Sequence, residues 1–330
     1  MIISRTPYRI SFFGGGTDYP TWYEKHGGAT LSTTIDKYCY ITARYFPPFF
    51  PEKHRIVWSK IELVNDHNDI EHPSVRETLK HLGIDKGVEI HHHGDLPARS
   101  GLGSSSSFTV GLLHVLHRLL GKPVTKLNLA KDAIHIEQNL INENVGSQDQ
   151  MAAAFGGLNK FTFAPGNVLK AEPVVLTNKR TEELQNHLIL VFTGLARTAS
   201  EIAAEQIKNT HQKEEQLKAM HAMVDKAIGI LKSEDDIREF GKLLHETWML
   251  KRGLTSKITN SQVDSIYDSA RGAGAIGGKL LGAGSGGFML LFVPPEDQAK
   301  VREALKDLII VPFKFDTEGS QIIYNQNGGV

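Results

Sequence analysis

The stretch from Asp95 to Leu113, DLPARSGLGSSSSFTVGLL, constrains the fold more than any other part of the chain. A glycine turn runs into four consecutive serines and then directly into an amphipathic pattern. Leu112, Leu113, Leu116, Leu119 and Leu120 recur at helical spacing until Gly121-Lys122-Pro123 stops them. The first N–H groups of such a helix lack intrahelical partners and point out of its N-terminus. Together with the positive end of the helix dipole they make an anion site, most often for phosphate. Gly101 and Gly103 let the backbone come close to the anion, and the hydroxyls of Ser104, Ser105, Ser106 and Ser107 supply donors or hard oxygen ligands. One serine is enough to cap a helix. Four after Gly-Leu-Gly point to phosphate binding.

Two commoner phosphate loops are excluded. A G-x-x-x-x-G-K-[ST] loop comes nearest at Gly278-Lys279, but Ala273 holds the first glycine position and Leu280 stands where Ser or Thr belongs. The literal G-x-G-x-x-G at Gly282, Gly284 and Gly287 is followed by a strand-like run, FMLLFV, where a dinucleotide fold needs a helix. The 37 basic and 37 acidic side chains balance, so the basic footprint of a nucleic-acid binder is missing. The longest strand-like apolar run, residues 288–293, falls far short of the roughly 20 residues that span a bilayer, so no membrane association is expected. Arg5 and Arg9 interrupt the N-terminus where a secretion signal would be apolar, and Cys39 is alone, which fits a reducing compartment; the expected location is cytoplasmic.

Along the chain, the first ninety residues read mostly as strands, rich in β-branched and aromatic residues and bounded by Gly or Pro. Helices are predicted from Ser104, over 125–142, over 198–233 and over 235–251, and the strand HLILVFTG opens the second half. The turn-rich PGNVLKAEPVV places a boundary near 165–185, giving domains 1–180 and 181–330. Strands first and helices later predict an α+β fold. His91 and His93 share one face of a strand, but no second ligand pair stands at a defined spacing, so they read as a strand entering the serine loop.

PARSGLGSSSS at 97–107 resembles the central motif of the GHMP kinases. TPYRISFFGGGTDYP at 6–20 and GGKLLGAGSGGFMLLF at 277–292 resemble that family's first and last motifs, in order, so the resemblance spans essentially the whole chain. FFGGGTDYP, ENVGSQDQMAAAFGG and GGKLLGAGSGGF together are most similar to the bacterial heptose 7-phosphate kinases within it. The resemblance implies a two-domain fold, the N-terminal domain like ribosomal protein S5 domain 2 and the C-terminal domain ferredoxin-like. It implies ATP and Mg²⁺ as cofactors, a sugar phosphate as the other substrate, and allows a homodimer.

It also implies roles. Arg99, Ser100, Gly101, Leu102, Gly103 and Ser104–Ser107 would cradle the ATP phosphates, with Ser105 and Glu137 on Mg²⁺, which needs few protein ligands. Asp149 would meet the acceptor hydroxyl, with Arg9 beside it. Asp18 would accept sugar hydroxyls, Gly14, Gly15 and Gly16 would leave room for the sugar, and Gly282 and Gly284 would close the site. Arg197 and Lys279 rank first for a second phosphate on the sugar, ahead of Lys251 and Arg252; Trp58 is the candidate for adenine.

Overall fold

The computed structural model describes residues 1–166, 168–194 and 199–326, with only the backbone of 199 and 200. The first part of the chain forms β1 (Ile2–Phe13), α1 (Pro20–His26), β2 (Gly28–Tyr45), β3 (His54–Val57), β4 (Ile61–Val64), α2 (Pro73–Leu82) and β5 (Val88–Gly94). Then come α3 (Ser104–Leu119), α4 (Lys126–His135), α5 (Gln148–Phe155), β6 (Asn159–Ala164), β7 (Val168–Pro173), α6 (Asn178–Asn186) and β8 (Leu188–Gly194). The rest gives α7 (Ala199–Asn209), α8 (Glu214–Lys232), α9 (Arg238–Arg252), α10 (Ser261–Gly272), β9 (Gly277–Leu280), β10 (Gly287–Phe292), α11 (Gln298–Ala304), β11 (Ile309–Val311), β12 (Phe315–Asp316) and β13 (Gln321–Asn325).

Among these residues two sheets form. The larger has nine strands, with the path β13-β1-β2-β5-β3-β4 and with β6, β7 and β12 joined off β2. Its spine is β2, eighteen residues dense in β-branched and aromatic side chains, long enough to pair β6 at one end and β5 at the other. β1 runs antiparallel to it and its register shifts twice, between Pro7 and Tyr8 and between Ser11 and Phe13. Proline has no N–H for the ladder, so a bulge at Pro7 is where the pairing can give way. Arg9 lies between the two shifts.

The second sheet has four antiparallel strands in the order β11-β8-β10-β9. In chain order that is 4-1-3-2, with helices between its first and second strands and between its third and fourth. This is the ferredoxin-like arrangement the resemblance implied. α3 packs Leu112, Val115 and Leu116 into the core under the larger sheet, and Leu290 and Phe292 of β10 join the same continuous core, so the two sheets share one interior.

Several elements differ from expectation. The helix predicted over 198–233 is broken by a 3₁₀ turn, Thr210–Lys213, and that over 125–142 passes into a π-helical turn, Ile136–Leu140. Four helices, α1, α2, α5 and α6, form where no helix was predicted. β12 and β13 return to the larger sheet, where Ser320 Oγ bonds Thr6 Oγ1 at 2.8 Å, so a division at 180/181 does not separate the two sheets.

Candidate active site

Three loops meet in a cleft of about 470 Å³ between the sheets. The serine loop forms its floor. Gly103 caps α3 in the left-handed region at φ 76°, and Arg99, not a glycine, also takes a positive φ of 59°. The loop is braced from within: Ser100 Oγ donates to Pro97 O at 2.7 Å, and Ser104 Oγ accepts from Arg99 N at 3.1 Å. Ser107 Oγ ties the helix to β1 by donating to Pro7 O at 2.9 Å, and Leu102 is buried in the core. Arg99, Gly101, Gly103, Ser104, Ser105 and Ser106 therefore line the cleft, while Ser100, Leu102 and Ser107 hold the loop from behind. The C-terminal glycine loop lies against it, backbone on backbone. A Cβ on Gly101 would fall 2.5 Å from Leu281 O, and one on Gly282 would fall 2.4 Å from Gly101 Cα, so neither position accepts a side chain.

Arg9 and Asp149 form a two-pronged ion pair in this cleft. Nε and Nη2 of Arg9 donate to the two carboxylate oxygens at 2.8 and 2.7 Å, the planar match that guanidinium and carboxylate make best. The third guanidinium nitrogen donates to Gly101 O at 2.6 Å, and the Arg9 backbone N–H donates to Leu102 O at 3.0 Å. One arginine thus fixes Asp149, in the first turn of α5, relative to the serine loop.

Asp18 is nearly buried on the other side of Asp149. It accepts from Gly16 N at 2.9 Å and Gln148 N at 3.4 Å, and burial, then the charge of Asp149, push its pKa up. Gly15 and Gly16 line the cleft, but Gly14 does not: its Cβ would sit 1.9 Å from Ala29 O, so its glycine serves the turn and not the sugar. Gly284 is also off the cleft wall, packed on the Ile258 backbone. Both corrections come from neighbours distant in sequence.

Glu137 is fully buried on the π turn, which rules out a solvated helix face. Its carboxylate accepts from Ser106 Oγ and Thr109 Oγ1 at 2.8 Å each, and from Gln150 Nε2. Burial raises its pKa to about 7, the three hydrogen bonds opposing that shift. Ser105 does not reach it. Ser105 is exposed to the cleft, whereas Ser106, one residue on and facing another side of the helix, links cleft and carboxylate. A buried carboxylate among neutral donors, with a serine hydroxyl between it and the cleft, suits a hard divalent cation.

Of the basic candidates, Lys251 and Lys279 line the cleft and are buried, whereas Arg252 turns away to Asp264 at 2.9 Å. Arg197 lies outside the described residues. Trp58 is off the cleft wall, donating to Glu62 Oε1 at 2.7 Å, and His91 pairs with Glu89 at 3.0 Å. No cluster of three or more His, Cys, Asp or Glu among the described residues could hold a metal ion. Ser11, Tyr19, Glu143, Gln148 and Gln206 also line the cleft and were not foreseen. Glu143 and Gln148 flank Asp149 closely enough in sequence that the motif around it could have flagged them; Gln206, on α7, carried no signal.

Residues 71–157 match the GHMP kinases N terminal domain and residues 231–310 the GHMP kinases C terminal domain. The chain is 30% identical to the D-glycero-alpha-D-manno-heptose 7-phosphate kinase of Campylobacter jejuni over 96% of its own length and 97% of that protein. The chain belongs to the GHMP kinases. Its fold superposes on a crystal structure of a D-glycero-D-manno-heptose 1-phosphate kinase from Bacteroides thetaiotaomicron with a TM-score of 0.80 and 25% identity, covering 99% of this chain and all of that one. It is also 25% identical to the galactokinase of Streptococcus thermophilus over 91% of this chain and 87% of that protein. This GHMP kinase is an ATP-dependent sugar kinase. No helix among its described residues is long and apolar enough to cross a membrane.

Proposed function

We propose that this kinase, in the cytoplasm, transfers the γ-phosphoryl group of ATP to the anomeric hydroxyl of D-glycero-D-manno-heptose 7-phosphate, giving the 1,7-bisphosphate, and so feeds nucleotide-activated heptose towards surface glycans. The observation that carries the chemistry is the Arg9–Asp149–Gly101 junction, which fixes a carboxylate beside the serine loop. Phosphoryl transfer asks a protein mainly to position and neutralise, so such a junction is where the two substrates would meet. The α3 N-terminus and the N–H groups of the loop take the ATP phosphates. Asp149 keeps lone pairs beyond the two Arg9 uses, so the acceptor hydroxyl can donate to it and pass its proton as the P–O bond forms. Arg9 balances the charge there. Asp18 accepts two sugar hydroxyls, and Gly15 and Gly16 leave the space beside them. Ser106 and Glu137 would hold Mg²⁺, with Ser105 nearest the phosphates; the ion would neutralise charge on the transferring group.

The heptose phosphate rests on the names of the two heptose kinases above and on buried lysines in the cleft. The galactokinase likeness favours the rival, a kinase for a free sugar such as fucose or galactose. A non-catalytic sugar and ATP sensor would not need the Arg9–Asp149 pair. Release of ADP on a panel of heptose 7-phosphate, free heptose, fucose and galactose separates these. Heptose 7-phosphate should lead by at least about tenfold in kcat/KM; a lead for fucose or galactose, or no turnover of any, rejects the assignment.

A further inference from the structure

We propose that Lys251 and Lys279 form one anion site on the C-terminal wall of the cleft, and that it takes the phosphate the acceptor already carries. The inference deepens the heptose-phosphate reading and rests on it. The last turn of α9 brings Lys251 and β9 brings Lys279. Lys279 Nζ donates to Phe12 O at 3.0 Å, and Lys251 Nζ to Leu280 O and Gly282 O at 3.0 and 2.5 Å. An ammonium has three donors, so three N–H groups remain between the two. Both side chains are more than nine-tenths buried, at 7% and 2% exposure, and both line the cleft. Among the described residues neither forms a salt bridge.

Two buried ammonium groups held only by carbonyls are costly unless an anion joins them. The charged groups that bear on the pair are Arg9 on β1, Asp18 and Asp149 on α5. Arg9 and Asp149 satisfy each other, which leaves Asp18 alone against two lysines. The other ionisable groups of the last α9 turns face away, Arg252 to Asp264, His245 to Tyr267 and Glu246 exposed at the surface. The pair bears on the sugar side of the cleft: Asp18 is among its charged neighbours, Glu137 is not, and Lys279 is anchored to the strand end just before the Gly14–Gly16 turn. The ATP phosphates have their own donors at the α3 N-terminus.

Burial, then neighbouring positive charge, lowers both pKa values, that of Lys251 to about 7. Near neutral pH the free pair is therefore short of its full protons, and a phosphate dianion draws a proton from solvent as it binds. Substitutions Lys251→Met and Lys279→Met, made singly, test this. The preference for heptose 7-phosphate over free heptose in kcat/KM should fall at least about tenfold in each. Calorimetry of the wild type in buffers of different ionisation enthalpy should show proton uptake with heptose 7-phosphate, and Lys251→Met should lose it. An unchanged preference, or a loss confined to ATP affinity, overturns the inference. Should Lys279→Met fail to fold, Lys251→Met decides alone. Should the wild type turn over no heptose, the heptose reading falls but the site is still decided by titrating inorganic phosphate into protein saturated with AMPPNP: binding lost in Lys251→Met supports it, and binding unchanged refutes it.

Discussion

Asp149 cannot be judged as a free carboxylate, because both its oxygens are already held by Arg9. What the pair provides is direction: the remaining lone pairs face the cleft, fixed relative to the loop by the Arg9 bond to Gly101 O. Asp149→Asn keeps the shape but cannot take a proton. Turnover should fall by about 10²–10⁴ while ATP affinity, read by calorimetry, stays within about twofold; a fall of less than threefold removes Asp149 from the chemistry. Glu137 poses a different question, since its pKa rises from 4.5 to about 7 on burial. The folded protein then holds a proton that the unfolded chain releases between about pH 4.5 and 7, so stability falls as pH rises through that window. The effect amounts to at most about 3 kcal/mol. Glu137→Gln should flatten it in urea unfolding at pH 5 and pH 7.5; an unchanged slope would mean that Glu137 is not the group concerned.

At the scale of elements, the site depends on backbones that touch. Gly146 gives the same closeness to a side chain: a Cβ there would lie 1.9 Å from Asp18 Oδ2. Gly146→Ala should displace Asp18 and raise the acceptor KM by about tenfold or more, with KM for ATP much less changed; equal changes in both would show that the turn serves the whole cleft. The serine loop and α3 were legible because the glycine turn, the serines and the helix start are written in adjacent residues. α1 and α2 were not, although each begins with a proline, Pro20 and Pro73, and ends at a glycine, Gly27 and Gly83. The same residues that start and stop a helix also bound strands, and both helices are short. Gly14 and Gly16 look alike in the sequence; Ala29, brought beside Gly14 by β2, and Val224 of α8 tell them apart. Lys251 ranked behind Arg197 and Lys279, since nothing local says that the last turn of α9 is covered by the glycine loop.

At the scale of the molecule, the chain closes on itself. β13 pairs β1 at the edge of the larger sheet, and the N-terminal ammonium donates to Gln326 O at 2.7 Å. That return could not be read from a division at one point in the sequence, because it joins segments more than 300 residues apart. Ending the chain after Val311 would strip β12 and β13 and uncover β1. A loss of about 3 kcal/mol would lower Tm by roughly 4–5 °C in a scanning experiment, and an unchanged Tm would make the return dispensable. The chemistry of the cleft that this closure holds together is read by ³¹P NMR of its product. With ATP and D-glycero-D-manno-heptose 7-phosphate, ADP and a new phosphate resonance coupled to the anomeric proton should appear, the original 7-phosphate signal remaining. A heptose 7-phosphate left unchanged while ATP phosphorylates a free sugar in the same tube would contradict the proposed reaction.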